Sequence, residues 1–168
     1  MTALLTRPPA KGEIVFVATP RPEDASAEAL RQRLAGHVPA VSDPSQYAAL
    51  RDRIWGIVTW GGPPVLPRLV AEHGAPPRLA WLHQSGIGLE AIAGLPLPPE
   101  VLATSIRGNS YYAVPMAEHV VARMLEWAKR LPEHWAHQAA RRWQQFDPPT
   151  LAGKTAMVFG YGTIAREV

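Results

Sequence analysis

Residues 155–168 read TAMVFGYGTIAREV, and the fold turns on this stretch. Thr155 to Phe159 is a short apolar run that predicts a strand. Gly160-Tyr161-Gly162-Thr163-Ile164-Ala165 fits the pattern G-x-G-x-x-G/A, lying after that strand and opening a helix. In such a setting the first glycine permits a tight turn and the second lets backbone amides approach a pyrophosphate. The small third position lets helix and strand pack closely. Gly160, Gly162 and the amides of Thr163 and Ile164 are therefore candidates to hold a dinucleotide phosphate. The plain alternative is an ordinary glycine-bearing strand-to-helix turn. A complete site also needs a second strand and a ribose-selecting residue about 20 positions on. Only six residues follow Gly162. The expectation is a site that is opened and not completed.

Upstream, apolar runs alternate with helical patterns, which predicts an α/β domain with a parallel sheet. "EIVFVAT" from Glu13 is the first strand, and "SAEALRQRLAG" a helix with Ala27, Leu30 and Leu34 on one face. "SDPSQYAALRDR" predicts another helix, capped by Asp43 with Pro44 at its first position. Ile54 to Trp60 is a buried strand, after which "GGPP" turns into a helix ending near Gly74. "RLAWLHQ" and a short run near Val101–Ser105 complete a flavodoxin-like sheet. From Pro115 a long helix follows, with Met116, Val120, Met124, Trp127 and Leu131 as its apolar stripe. Pro132 breaks it and begins a second helix, "PEHWAHQAARRW". The boundary falls near Gly108, giving a flavodoxin-like substrate-binding domain over 1–107. Residues 108–168 are then inter-domain helices and the start of a Rossmann domain.

Composition narrows the function. Hydrophobic residues make up 47% of the 168 and charged residues 18%, enough to bury a core. The absence of cysteine excludes disulfides, zinc-thiolate sites and thiol catalysis. A net charge of +3, with basic pairs only at Lys129-Arg130 and Arg141-Arg142, argues against a nucleic-acid groove. No apolar run is long enough to span a membrane. The N-terminal "MTALLTRPPAKGE" lacks the form of a signal peptide, so a cytoplasmic protein is expected. A phosphoacceptor receiver, which shares this kind of sheet, needs acidic residues where "TPRP" and "TWGG" stand.

Open parallel sheets bind ligands beyond the carboxyl ends of their strands. Trp60 and Ser85 to Glu90 fall there, and the amides around Ile87 and Gly88 suit a small carboxylate held in a backbone nest. A turn leading into a short helix after Glu90 explains the same residues equally well. His83 either reaches the crevice or is hydrogen-bonded in the core. His119 adjoins Glu118, but helix neighbours point about 100° apart, which favours a packed or interface role. His134 and His137 share a helix face without an acid or cysteine to complete a metal site. Trp55 and Trp81 read as core. Trp127 and Trp135 read as residues covered by a partner or by more of the second domain.

With these motifs in order, the chain resembles the D-isomer-specific 2-hydroxyacid dehydrogenases. "LAWLHQSGIGLE" is similar to the family's strand and loop, and "SIRGNSYYAVPMAEHVVARMLEWAKR" to its inter-domain crossing. "W…TLAGKTAMVFGYGTIAREV" is similar to its tryptophan, strand and dinucleotide fingerprint. The resemblance covers most of Pro77 to Val168 and implies reversible hydride transfer between NAD or NADP and a 2-oxo or 2-hydroxy acid. It implies a substrate carboxylate at Ile87 and Gly88; Trp60, by its place at a strand end, is a candidate to wall a substrate pocket. It also implies a pyrophosphate at Gly160, Gly162, Thr163 and Ile164, and a homodimer in the full-length form. The family's catalytic arginine, glutamate and histidine lie after the fingerprint, so no catalytic residue is carried over, and His119 is no substitute. The expected function is the N-terminal portion of such an oxidoreductase, inactive alone. The alternative is a non-catalytic module derived from it that binds a small acid or a partner.

Overall fold

The computed structural model describes residues 7–60, 64–86 and 88–168, which form two compact units, Met1–Arg107 and Gly108–Val168. Unit 1 is a five-stranded, all-parallel sheet in the order β2-β1-β3-β4-β5, the flavodoxin-like order. The strands are β1 (Ile14–Ala18), β2 (Ala40–Val41), β3 (Ile54–Thr59), β4 (Trp81–Gln84) and β5 (Leu102–Ser105). β1 lies near the middle and every residue of it is buried, as expected of a parallel strand covered on both faces.

Two apolar clusters sandwich the sheet. On one face Phe16, Ile57 and Leu82 meet Tyr47 of α2 (Tyr47–Leu50) and Leu66, Leu69 and Val70 of α3 (Val65–His73). On the other, Val15, Val17 and Val58 meet Ala27, Leu30 and Leu34 of α1 (Ala25–Ala35), the face foreseen from their spacing. Asp24 caps α1 by accepting from the Ser26 amide. The segment after Asp43 is one irregular helical stretch: a 3-10 turn over Pro44–Gln46, α2, then a second 3-10 turn over Arg51–Arg53. Asp43 caps it with Pro44 in the first turn, as expected.

The end of unit 1 opposite the carboxyl edge is tied by Glu13, whose side chain is buried. Arg7 donates both terminal nitrogens to it at 2.6 Å, and the Ala10 amide donates at 2.7 Å. The Arg7 pairing holds this carboxyl below its ordinary range against the opposing effect of burial.

Unit 2 holds α4 (Ser110–Ala128), α5 (Leu131–Ala139) and α6 (Thr163–Glu167). The long helix begins five residues before Pro115, which lies inside it. Asn109 starts it by accepting from the Tyr111 amide, a stronger start signal than a proline whose fixed φ the second turn accommodates. α5 ends at Ala139, short of the Trp143 expected, and Arg141 follows with a φ of 49°. The strand expected over Thr155–Phe159 is absent: these residues belong to no ladder, and Met157 and Phe159 are 77% and 90% exposed. A strand needs a neighbour to take its amides and carbonyls, and the described part of unit 2 has none.

Candidate functional site

The sequence-predicted acid site lies at the carboxyl edge of the unit 1 sheet. The register pairs Thr59 with Gln84 and Gln84 with Ser105, and the Ser85 amide donates to the Thr59 carbonyl at 2.8 Å. Trp60 and the loop after β4 therefore leave the sheet at the same edge. Trp60 turns to the α1 face and, with Thr19, Pro20, Arg21 and Asp24, lines a shallow pocket of about 350 Å³. Ile87 and residues 61–63 lie outside the described residues.

Gly88 is partly buried, and the Glu90 carboxylate lies directly against it: a Cβ added at Gly88 would be 2.0 Å from Glu90 Oε2. No helix follows Glu90. The chain makes a single turn closed by the Ile92 and Ala93 amides on the Leu89 carbonyl. Ile92, Leu95 and Leu97 then pack on the core, and the three prolines after Gly94 oppose helix propagation.

Beneath the edge, an aromatic ladder explains His83. Trp81 lies between Trp55 and His83, with ring centroids 5.8 Å from each. Trp81 Nε1 donates to Thr104 Oγ1 at 3.0 Å, and His83 Nδ1 is 2.9 Å from the same hydroxyl. Burial pushes the His83 imidazole below its ordinary value, so the neutral ring is favoured. Of its two readings, the packed strand role is the one observed. Trp55 and Trp81 are half-buried, packed against the α1-side cluster.

Gln84 was not singled out from the sequence. It is 1% exposed and its Oε1 is buried without a hydrogen-bond partner. The signal was available: a glutamine sharing strand parity with buried Leu82 is a polar group aimed at the core.

The glycine turn is present without a strand before it. Gly160 has a φ of 87°, a conformation that suits glycine, and Gly162 is extended at the N-cap of α6. Among the described residues a Cβ added at either glycine would meet nothing within 4 Å, and α6 has only five residues. Thr163 and Ile164 open that helix. As folded here, these residues supply the turn and not a complete phosphate site.

Elsewhere in unit 2, His134 and His137 stack edge-on against Phe146 at 4.4 and 5.3 Å. His119 is exposed. Among the described residues no group of three or more His, Cys, Asp or Glu is placed to hold a metal. None of the described helices is long and apolar enough to cross a membrane.

No protein-family model matches the chain, and no curated protein matches it in sequence. Solved structures do match. A D-isomer specific 2-hydroxyacid dehydrogenase family protein from Aeromonas salmonicida superposes with a TM-score of 0.69 at 20% identity, over 92% of this chain and 48% of the other. A probable 2-hydroxyacid dehydrogenase from Rhizobium etli, solved with NADP, HEPES and L(+)-tartaric acid, gives 0.66 at 20% identity, over 92% and 46%. An NADPH-dependent glyoxylate/hydroxypyruvate reductase from Sinorhizobium meliloti, solved with NADP and sulfate, gives 0.67 at 22% identity, over 92% and 47%. The chain thus spans about half the length of the solved chains it matches, and at these identities the likeness is one of fold. The fold is that of the 2-hydroxyacid dehydrogenases, an α/β architecture with a five-stranded parallel sheet.

Proposed function

We propose that the chain is the N-terminal portion of an NAD- or NADP-dependent oxidoreductase acting on D-2-hydroxy acids, with unit 1 as its substrate-binding domain. The observation that carries this reading is the fold shared with 2-hydroxyacid dehydrogenases, which supports the sequence resemblance of the loop after β4. Unit 1 would hold the carboxylate of a small 2-oxo or 2-hydroxy acid at Ile87 and Gly88, with Trp60 walling the pocket. Gly160 and Gly162, with the amides of Thr163 and Ile164, would begin the site of the nicotinamide dinucleotide, which supplies the hydride. Residues 108–168 would be the inter-domain helices and the opening of that second domain. The whole protein would be a homodimer in the cytoplasm; the exposure of Trp127 at 77% and Trp135 at 55% fits cover by a partner and cover by more of the second domain equally.

These 168 residues contain no match for the arginine that polarises the carbonyl or for the glutamate-tuned histidine that moves the proton. By themselves they are inactive in this reading. The test is oxidation of NADH or NADPH in the presence of glyoxylate, pyruvate or hydroxypyruvate. The expected rate is that of the buffer, and turnover that scales with protein would overturn the inactivity. A second reading is a non-catalytic module, in keeping with the proposed acid-binding residues all falling in unit 1. It predicts acid binding by calorimetry with no cofactor added and turnover in no longer form of the protein.

A further inference from the structure

We propose that the cleft at the C-terminal end of α5 binds a phosphate group through the guanidinium groups of Arg141 and Arg142. The cleft has a volume of about 480 Å³ and lies wholly within unit 2. His134, His137, Arg141 and Arg142 line it, together with the carboxamides of Gln138 and Gln144. No aspartate or glutamate is among the lining residues. The neighbouring acid on α5, Glu133, is engaged by Arg130 through both carboxylate oxygens. The cleft therefore carries two arginines and further N–H donors with no anion to take them.

The backbone fixes where the two cations stand. The Arg142 amide donates to the His137 carbonyl at 2.9 Å, and the Arg141 amide to the Gln138 carbonyl at 3.0 Å. Such a helix ending usually has glycine where Arg141 stands, because φ there is 49°. Arginine in that conformation is strained, and strain of this kind gathers at ligand-holding positions. Its side chain is not needed as a cap, since backbone amides already satisfy the carbonyls of Ala136, His137 and Gln138. Arg142 donates Nε to His137 Nδ1 at 2.7 Å, with Nη2 3.3 Å from Nε2. An imidazole that accepts this bond brings no negative charge, so the guanidinium stays uncompensated. Neither arginine has a carboxylate partner among the described residues. A phosphate brings about three acceptor oxygens and up to about two negative charges, which suits two planar forks better than a carboxylate does. Trp143 stands at the rim, 94% exposed, and offers a face on which the flat ring of a phosphate ester can stack.

The test is a titration of the 15N-labelled full chain with inorganic phosphate and, in parallel, with phenyl phosphate, both at constant ionic strength. Saturable shifts are expected at the backbone amides of residues 137–144 and at the Arg141 and Arg142 Nε–H groups. Arg141→Gly should weaken phosphate binding roughly tenfold or more. The same variant should melt no lower than the parent, because glycine suits a φ of 49°. Arg141→Lys keeps the charge without the fork, and its affinity should fall between the two. Equal affinity for the two ligands would assign the cleft to free phosphate. Tighter binding of phenyl phosphate, lost in Trp143→Ala, would assign it to an ester. Unsaturated shifts spread over exposed cations, or shifts confined to residues 160–164, would overturn the inference. Phosphate affinity unchanged in Arg141→Gly would overturn it as well.

Discussion

Glu90 places a carboxylate against Gly88, within the loop expected to receive the carboxylate of a ligand. Like charges this close oppose each other even near the surface, so Glu90→Gln should tighten pyruvate binding by roughly two- to fivefold. The check is calorimetry at low and high salt: the gain should shrink as salt rises, and unchanged affinity at low salt would contradict it. Gly56 is decided by a different contact. A Cβ there would stand 2.9 Å from Trp81 Cε3 and 3.3 Å from Val15 Cγ2, and both neighbours are packed. Gly56→Ala should therefore destabilise unit 1 by about 1–3 kcal/mol, measured by urea unfolding. A variant as stable as the parent would show that Trp81 shifts freely. Neither contact was legible in the sequence. Glycine in "IWGIVTW" and glutamate in "SGIGLE" show residue types, whereas the neighbours that constrain them are set by strand pairing and loop closure.

Helices and strands with several apolar residues in register were legible, and those depending on a partner were not. β1, β3, β4 and β5 were foreseen because each has at least four residues of strand pattern. β2 has two, Ala40 and Val41, and exists only because β1 offers an edge: Val15 and Phe16 pair with them. The strand expected over Thr155–Phe159 failed for the converse reason, having the right side chains and no described neighbour. At the irregular helical segment around α2, the sequence supplied the cap but not the purpose, which is to bury Tyr47. Its ring meets Phe16 edge-on at 5.2 Å, and its hydroxyl donates to the Gly74 carbonyl at 3.1 Å. Burial pushes this phenol from 10.0 up to about 12. A raised folded value stabilises the fold fully below pH 10, and that stability is lost as pH rises towards 12. Tyr47→Phe should lower stability at pH 7 by about 1 kcal/mol through the lost hydrogen bond. It should also flatten the decline between about pH 10 and 12 in denaturant titrations. An unchanged alkaline slope would mean that Tyr47 does not govern it.

At the scale of the whole molecule, the two units differ in how far they satisfy themselves. Unit 1 encloses a continuous core on both faces of its sheet. In unit 2, Tyr111, Trp127, Trp143, Phe159 and Tyr161 each expose three-quarters or more of their surface. That contrast accords with the proposal that unit 1 carries a site of its own while the dinucleotide turn needs further structure. The fold class was legible because alternating runs and helices leave few topologies. For the proposed acid site, the sequence points only to the carboxyl edge; the contact of Glu90 with Gly88 is made on folding. The central proposal is that unit 1 is the part of the protein that holds a small 2-oxo acid. The most direct measurement is a titration of the 15N-labelled chain with pyruvate, read at the backbone amides of every assigned residue. Saturable shifts concentrated at Ser85, Gly86, Gly88 and Leu89, with Trp60 following, are the result predicted. Shifts confined to unit 2, or none up to high acid concentration, would contradict it.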